Sequence, residues 1–69
     1  MKRTERKQLS DAEARLIEVL ADAYEPLRVA DLVALTGYAT RHTSRTLRGL
    51  ERSKRAIEVG RGQWVGGAS

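Results

Sequence analysis

The chain has no cysteine and no phenylalanine, and it carries a single proline and a single histidine. Without cysteine, no disulfide can brace the fold. A lone imidazole, His42, founds neither a metal centre nor a catalytic pair, so no metal, no cofactor and no enzymatic activity are expected. The stretches "GRG" and "GG" are not followed by a helical pattern, which excludes a phosphate-cradling loop of the nucleotide-binding kind. Long apolar runs are missing as well. The basic first residues lead into polar sequence, so neither a signal peptide nor a membrane span is predicted, and the chain reads as cytoplasmic. Acidic residues 11, 13, 18 and 22 recur at helical spacing and read as a solvated face, since nothing in the sequence places two of them in a cleft.

What remains is a small basic domain. A chain of 69 residues hides only about 60% of its unfolded surface, so its stability is modest. The core must come from Leu, Ile, Val and Ala, with Trp64, Tyr24 and Tyr38 as its bulky members. The net charge is +4 and is unevenly spread. Residues 1–9 set Lys2, Arg3, Arg6 and Lys7 against Glu5, a balance of +3. Residues 10–39 set Arg15 and Arg28 against six acids, a balance of −4. Residues 40–62 set seven basic side chains against Glu51 and Glu58, a balance of +5. Such asymmetry points to a polyanionic partner approached from one side. Ten of the thirteen basic residues are arginine, whose planar fork suits phosphate and guanine edges.

"MKRTERKQ" shows no apolar period, and residues 1–9 are expected to form a disordered basic arm. A first helix opens at Ser10, where Glu13 stands at capping-box spacing. Leu16, Ile17, Leu20, Ala23 and Tyr24 give it one buried stripe, and Glu25-Pro26 ends it. Leu27-Arg28-Val29 is too short to stand alone as a strand but can pair with a later hairpin. A second helix is predicted over residues 29–36, closed by Gly37 in a left-handed turn. A third starts near Thr40, taken as its cap, and runs to about Ser53, with Thr43, Thr46, Leu47 and Leu50 inward and arginines elsewhere. "AIEV", "GRG" and "QWV" then read as a hairpin, with Trp64 as a lid over the core. Residues 66–69 are expected to be a frayed tail.

Helix, short strand, helix, tight turn, basic helix and hairpin resemble, in that order, a winged helix-turn-helix domain over residues 10–65. The stretches "ADLVALTGYATRHTSRTLRGLE" and "VGRGQWV" carry the resemblance. Val33 stands where such domains usually have a small residue, Arg28 where Ser or Thr caps, and Lys54 where Gly often ends the basic helix. Thr43 replaces an apolar β-branched residue, and its hydroxyl is expected to bond the carbonyl four residues back. The resemblance implies a mostly α fold of three helices plus a two- or three-stranded wing. It also implies sequence-specific double-stranded DNA binding, as in small bacterial or phage transcriptional regulators such as repressors, and hence a place at the nucleoid.

By that resemblance, residues 40–53 form the recognition helix in the major groove, and the wing tip, residues 60–62, meets the adjacent minor groove or backbone. Arg41 and Arg45 suit guanine edges, Thr40 and Ser44 a phosphate or a thymine methyl, and Arg48 and Arg52 the phosphate backbone. Arg61 is expected in the minor groove. With about six phosphates neutralised, the logarithm of affinity should fall against the logarithm of salt with a slope of about −5. The domain is expected to act as a monomer or as a homodimer paired through Leu9, Leu16 and Tyr24, with no small-molecule effector. The alternative is a protein-interaction module within a larger assembly, using the acidic first helix as its contact surface and the arginines to grip an acidic partner.

Overall fold

The computed structural model of the protein describes residues 9–67. Three helices precede a hairpin: α1 (Asp11–Asp22), β1 (Leu27–Arg28), α2 (Val29–Thr36), α3 (Thr40–Arg52), β2 (Ala56–Gly60) and β3 (Gln63–Gly66). The strands form one antiparallel sheet in the order β1-β3-β2, so the two-residue β1 closes the free edge of β3. Among the described residues, no helix is long and apolar enough to cross a membrane. Leu16 and Leu20 of α1, Leu32 of α2, Leu47 and Leu50 of α3, Ala56 and Trp64 make up the buried cluster.

Local chemistry sets most boundaries. The Ser10 hydroxyl accepts from the Glu13 amide at 3.1 Å while the Glu13 carboxylate accepts from the Ser10 amide at 2.8 Å, which completes the predicted capping box. At the other end α1 stops at Asp22, earlier than the proline dipeptide suggests. In a continued helix the Pro26 ring would meet the carbonyl four residues back, which is that of Asp22. Tyr24 therefore falls outside the helix, loses its place in the apolar stripe and is fully exposed, which corrects its assignment to the core. Gly37 does take the left-handed conformation, with φ 81°, and its amide bonds the Val33 carbonyl at 2.8 Å.

At α3 the expected cap is displaced by one residue. Ala39 holds the cap position with extended backbone and no side-chain bond, and Thr40 is the first helical residue. The far end closes as a Schellman turn, with the Arg55 amide on the Leu50 carbonyl at 2.8 Å and the Lys54 amide on the Glu51 carbonyl at 3.0 Å. Lys54 takes the left-handed position of that turn, φ 65°, where glycine is the usual occupant. The sheet extends further than expected: β3 includes Gly66, and the Gly67 amide bonds the Arg55 carbonyl at 2.9 Å. A Cβ at Gly67 would collide with the Lys54 carbonyl. Of the expected frayed tail, residues 68 and 69 lie outside the described residues, as does the expected arm apart from Leu9.

Two substitutions should raise stability. Thr43 is fully buried, and its hydroxyl finds no partner, contrary to the back-bond expected of it. Thr36 and Thr46 make that bond instead, to Leu32 at 2.7 Å and His42 at 2.8 Å. An unsatisfied buried hydroxyl costs about 1–3 kcal/mol, so Thr43→Val is expected to stabilise by about 1 kcal/mol. That corresponds to a melting point about 4–8 °C higher for a domain of this size. An unchanged or lower midpoint in calorimetry would refute the orphaned hydroxyl. Gly49 lies mid-helix, where an added Cβ meets nothing closer than a Glu13 carboxylate oxygen at 3.9 Å. Gly49→Ala should therefore gain about 1 kcal/mol of helix propensity in a urea titration.

Candidate nucleic-acid interface

On α3, Thr43, Leu47 and Leu50 are buried. Arg41, Arg45, Arg48 and Arg52 follow one another by four, three and four residues. At about 100° per residue these four fall within roughly 60° of arc, and the buried three centre about 160° away. The apolar stripe therefore dictates where the arginines point, which is away from the core. Thr40, Arg41, Arg45, Arg48, Arg52 and Arg61 are all exposed, and Ser44 is half-buried beside them.

The amino terminus of α3 adds to this positive surface. Among the described residues its first-turn amides receive no side-chain cap, and the first turn itself contains no acid, whereas α1 has both Asp11 and Glu13 and a complete capping box. Uncapped amides with the helix dipole behind them favour an anion. Behind Arg41, the Tyr38 ring meets His42 edge-on with centroids 5.4 Å apart, so Tyr38 is a half-buried brace rather than a core piece.

The arginines differ in their company. Arg41, Arg45, Arg52 and Arg61 pair with no acid among the described residues. Arg48 is engaged twice: its Nη1 donates to Glu51 Oε1 at 3.0 Å and to Glu58 Oε1 at 3.2 Å, and its guanidinium lies 5.3 Å from the Trp64 ring centroid. Beneath it, Trp64 is buried as the expected lid. Arg48 therefore offers no unshared charge, since two carboxylates surround it.

Glu58, which composition and spacing mark only as an acid between basic residues, connects these elements. In the strand register it lies opposite Trp64, which turns it toward α3, while Ile57 and Val59 face outward. Its second oxygen accepts from the Gly62 amide at 2.9 Å. The Arg61-Gly62 turn, with Gly62 at φ 72°, is thus tied through one carboxylate to the arginine stripe of α3. Only an acid separated by three residues from a turn glycine hints at this in the sequence. The Arg48 half of the link comes from tertiary packing.

This network leaves a mark on titration. The Gly62 amide, and then Arg48, hold the Glu58 carboxyl below its usual range despite some desolvation. Arg48 is raised in turn, chiefly by its hydrogen bond with Glu51 and then by Glu58. A depressed folded-state value means that Glu58 contributes stability above its unfolded value of about 4.3 and loses it as pH falls through the folded value. Glu58→Gln should therefore be less stable than the parent at neutral pH, with the gap closing as acid is added. Melting curves of the two proteins that stay parallel from neutral pH to strong acid would contradict this.

A second feature lies away from these arginines. Val19, Ala23, Tyr24, Leu27 and Leu35 line a groove of about 440 Å³. Arg15, Glu18, Asp22 and Glu25 line it as well, and Arg15 pairs with Glu18 at 3.1 Å. Leu16, expected as part of a dimer surface, is fully buried, so that surface does not exist as expected. Leu9 and Tyr24 flank opposite ends of α1, which at twelve residues is about 18 Å long. Among the described residues, no group of His, Cys, Asp or Glu could hold a metal ion. Set against protein-family models, curated proteins and solved structures, the chain gave no match, so the functional reading rests on the geometry described above.

Proposed function

We propose that the chain is a winged helix-turn-helix domain that binds double-stranded DNA sequence-specifically and acts as a small transcriptional regulator. One observation carries the reading: α3 presents its arginines opposite its buried stripe, and the Arg61-Gly62 turn is tied through Glu58 to Arg48 on the arginine face. Helix α3 is about 20 Å long and fits the major groove with its uncapped end leading. Arg41 and Arg45, one turn apart and without acidic partners among the described residues, read base edges. Arg52 meets phosphate, and Arg61 enters the neighbouring minor groove. Arg48, shared between two carboxylates, serves first as a structural tie and only secondarily as a phosphate contact.

The test is selection of bound duplexes from a random library, followed by anisotropy titration of the selected and scrambled sequences at several salt concentrations. Tighter binding to the selected duplex, with a slope of about −5, supports the reading. Salt-insensitive or absent binding ends it.

A second reading, a protein-interaction module, is favoured by the groove that Tyr24 helps to line. Its apolar side chains, with three acids against one arginine, suit a basic amphipathic segment of another protein. If that reading holds, Tyr24→Glu removes partner binding, and Arg45→Glu leaves it intact.

A further inference from the structure

We propose that Glu58 is a positioning residue of the wing: its carboxylate fixes the Arg61-Gly62 turn against α3 and so presents Arg61 to the duplex. This rests on the DNA-binding reading. By charge alone Glu58 is out of place, because an acid amid arginines repels a polyanion. Its geometry accounts for its presence. Both carboxylate oxygens are used within the protein, Oε1 by Arg48 at 3.2 Å and Oε2 by the Gly62 amide at 2.9 Å. The Arg48 donor is itself aimed by Glu51 at 3.0 Å and by the Trp64 face at 5.3 Å, so the tie is anchored on the buried lid.

The hairpin needs such a tie. Its ladder is interrupted between Glu58 and Gly60, and beyond that break only the Gly60–Gln63 pairing leads into the turn. Glu58 reaches past the break to hold the far side of the turn. Ordering the tip before contact removes part of the cost of immobilising Arg61 on binding.

The prediction opposes simple electrostatics. Removing a negative charge beside DNA should tighten binding, yet Glu58→Ala is expected to weaken it as much as Arg61→Ala does. Each should make the salt slope shallower by about 1, and the double variant should be no worse than either single one. Glu58→Gln keeps an oxygen for the Gly62 amide, so it should retain the Arg61 contribution and bind at least as tightly as the parent.

The experiment is a double-mutant cycle between positions 58 and 61 on a fluorescein-labelled mixed-sequence duplex. It is paired with amide hydrogen exchange of the free protein. In Glu58→Ala the Gly62 amide should exchange faster, while the amides of Leu47 and Trp64 keep their protection. Tighter binding by Glu58→Ala, an undiminished cost of Arg61→Ala in that background, or unchanged Gly62 exchange overturns the proposal. If the parent binds no duplex, the DNA-binding reading itself falls, and Gly62 exchange still decides whether the tie exists.

Discussion

Leu47→Ala is expected to leave a large fraction of the protein unfolded at room temperature. Leu47 is fully inaccessible and sits on α3 within the cluster that includes Leu16, Leu32, Leu50 and Trp64. Truncating such a leucine costs about 2–5 kcal/mol, from lost transfer energy and the cavity left behind. A domain of 69 residues has only about 3–10 kcal/mol to lose. No disulfide limits the unfolded chain, since there is no cysteine. Urea titration by circular dichroism should show the midpoint collapsing toward zero denaturant. Leu35→Ala is the matched control, because Leu35 is 56% exposed and its truncation should stay within about 0.5 kcal/mol. Equal effects at positions 35 and 47 would mean that the core is misplaced.

The second large effect concerns binding rather than folding. On a duplex obtained by selection, Arg45→Ala is expected to weaken affinity by about 1–3 kcal/mol, the worth of a bidentate contact to guanine. The loss should be specific: base preference should relax at one position of the site, with little change elsewhere. Arg52→Ala is expected to act differently, weakening all sequences alike and making the salt slope shallower by about 1. Neither change should move the melting point much, because both side chains are exposed and neither pairs with an acid among the described residues. Anisotropy titrations of both variants on selected and scrambled duplexes distinguish the two roles. Identical, sequence-independent losses at positions 45 and 52 would remove Arg45 from base readout.

How far the fold could be read in advance depends on the range of the interaction concerned. Ser10 and Glu13 are three residues apart, and their reciprocal bonds need only the first turn of the helix that they cap. Gly37 answers to its own backbone requirement, and the Arg61-Gly62 turn follows from glycines between two alternating runs. The arginine stripe was legible for a similar reason, since a helix whose apolar residues share one face must place the others opposite. Tyr24 was misread because its helical phase counts only if the helix reaches it, and α1 ends at Asp22. The cap of α3 falls at Ala39 and not at Thr40, although threonine is the better capping residue.

By itself, then, the sequence determined the elements, the face each helix buries and the sign of the surface opposite, because these depend on neighbours within one or two turns. Only the tertiary structure decided which of the helix cations is shared with the hairpin. Arg41, Arg45, Arg48 and Arg52 are equivalent by spacing, but Arg48 alone meets Glu58, ten residues along the chain, and lies over Trp64. That meeting requires the hairpin to fold back across α3. No local preference encodes a contact that depends on where two separate elements come to rest.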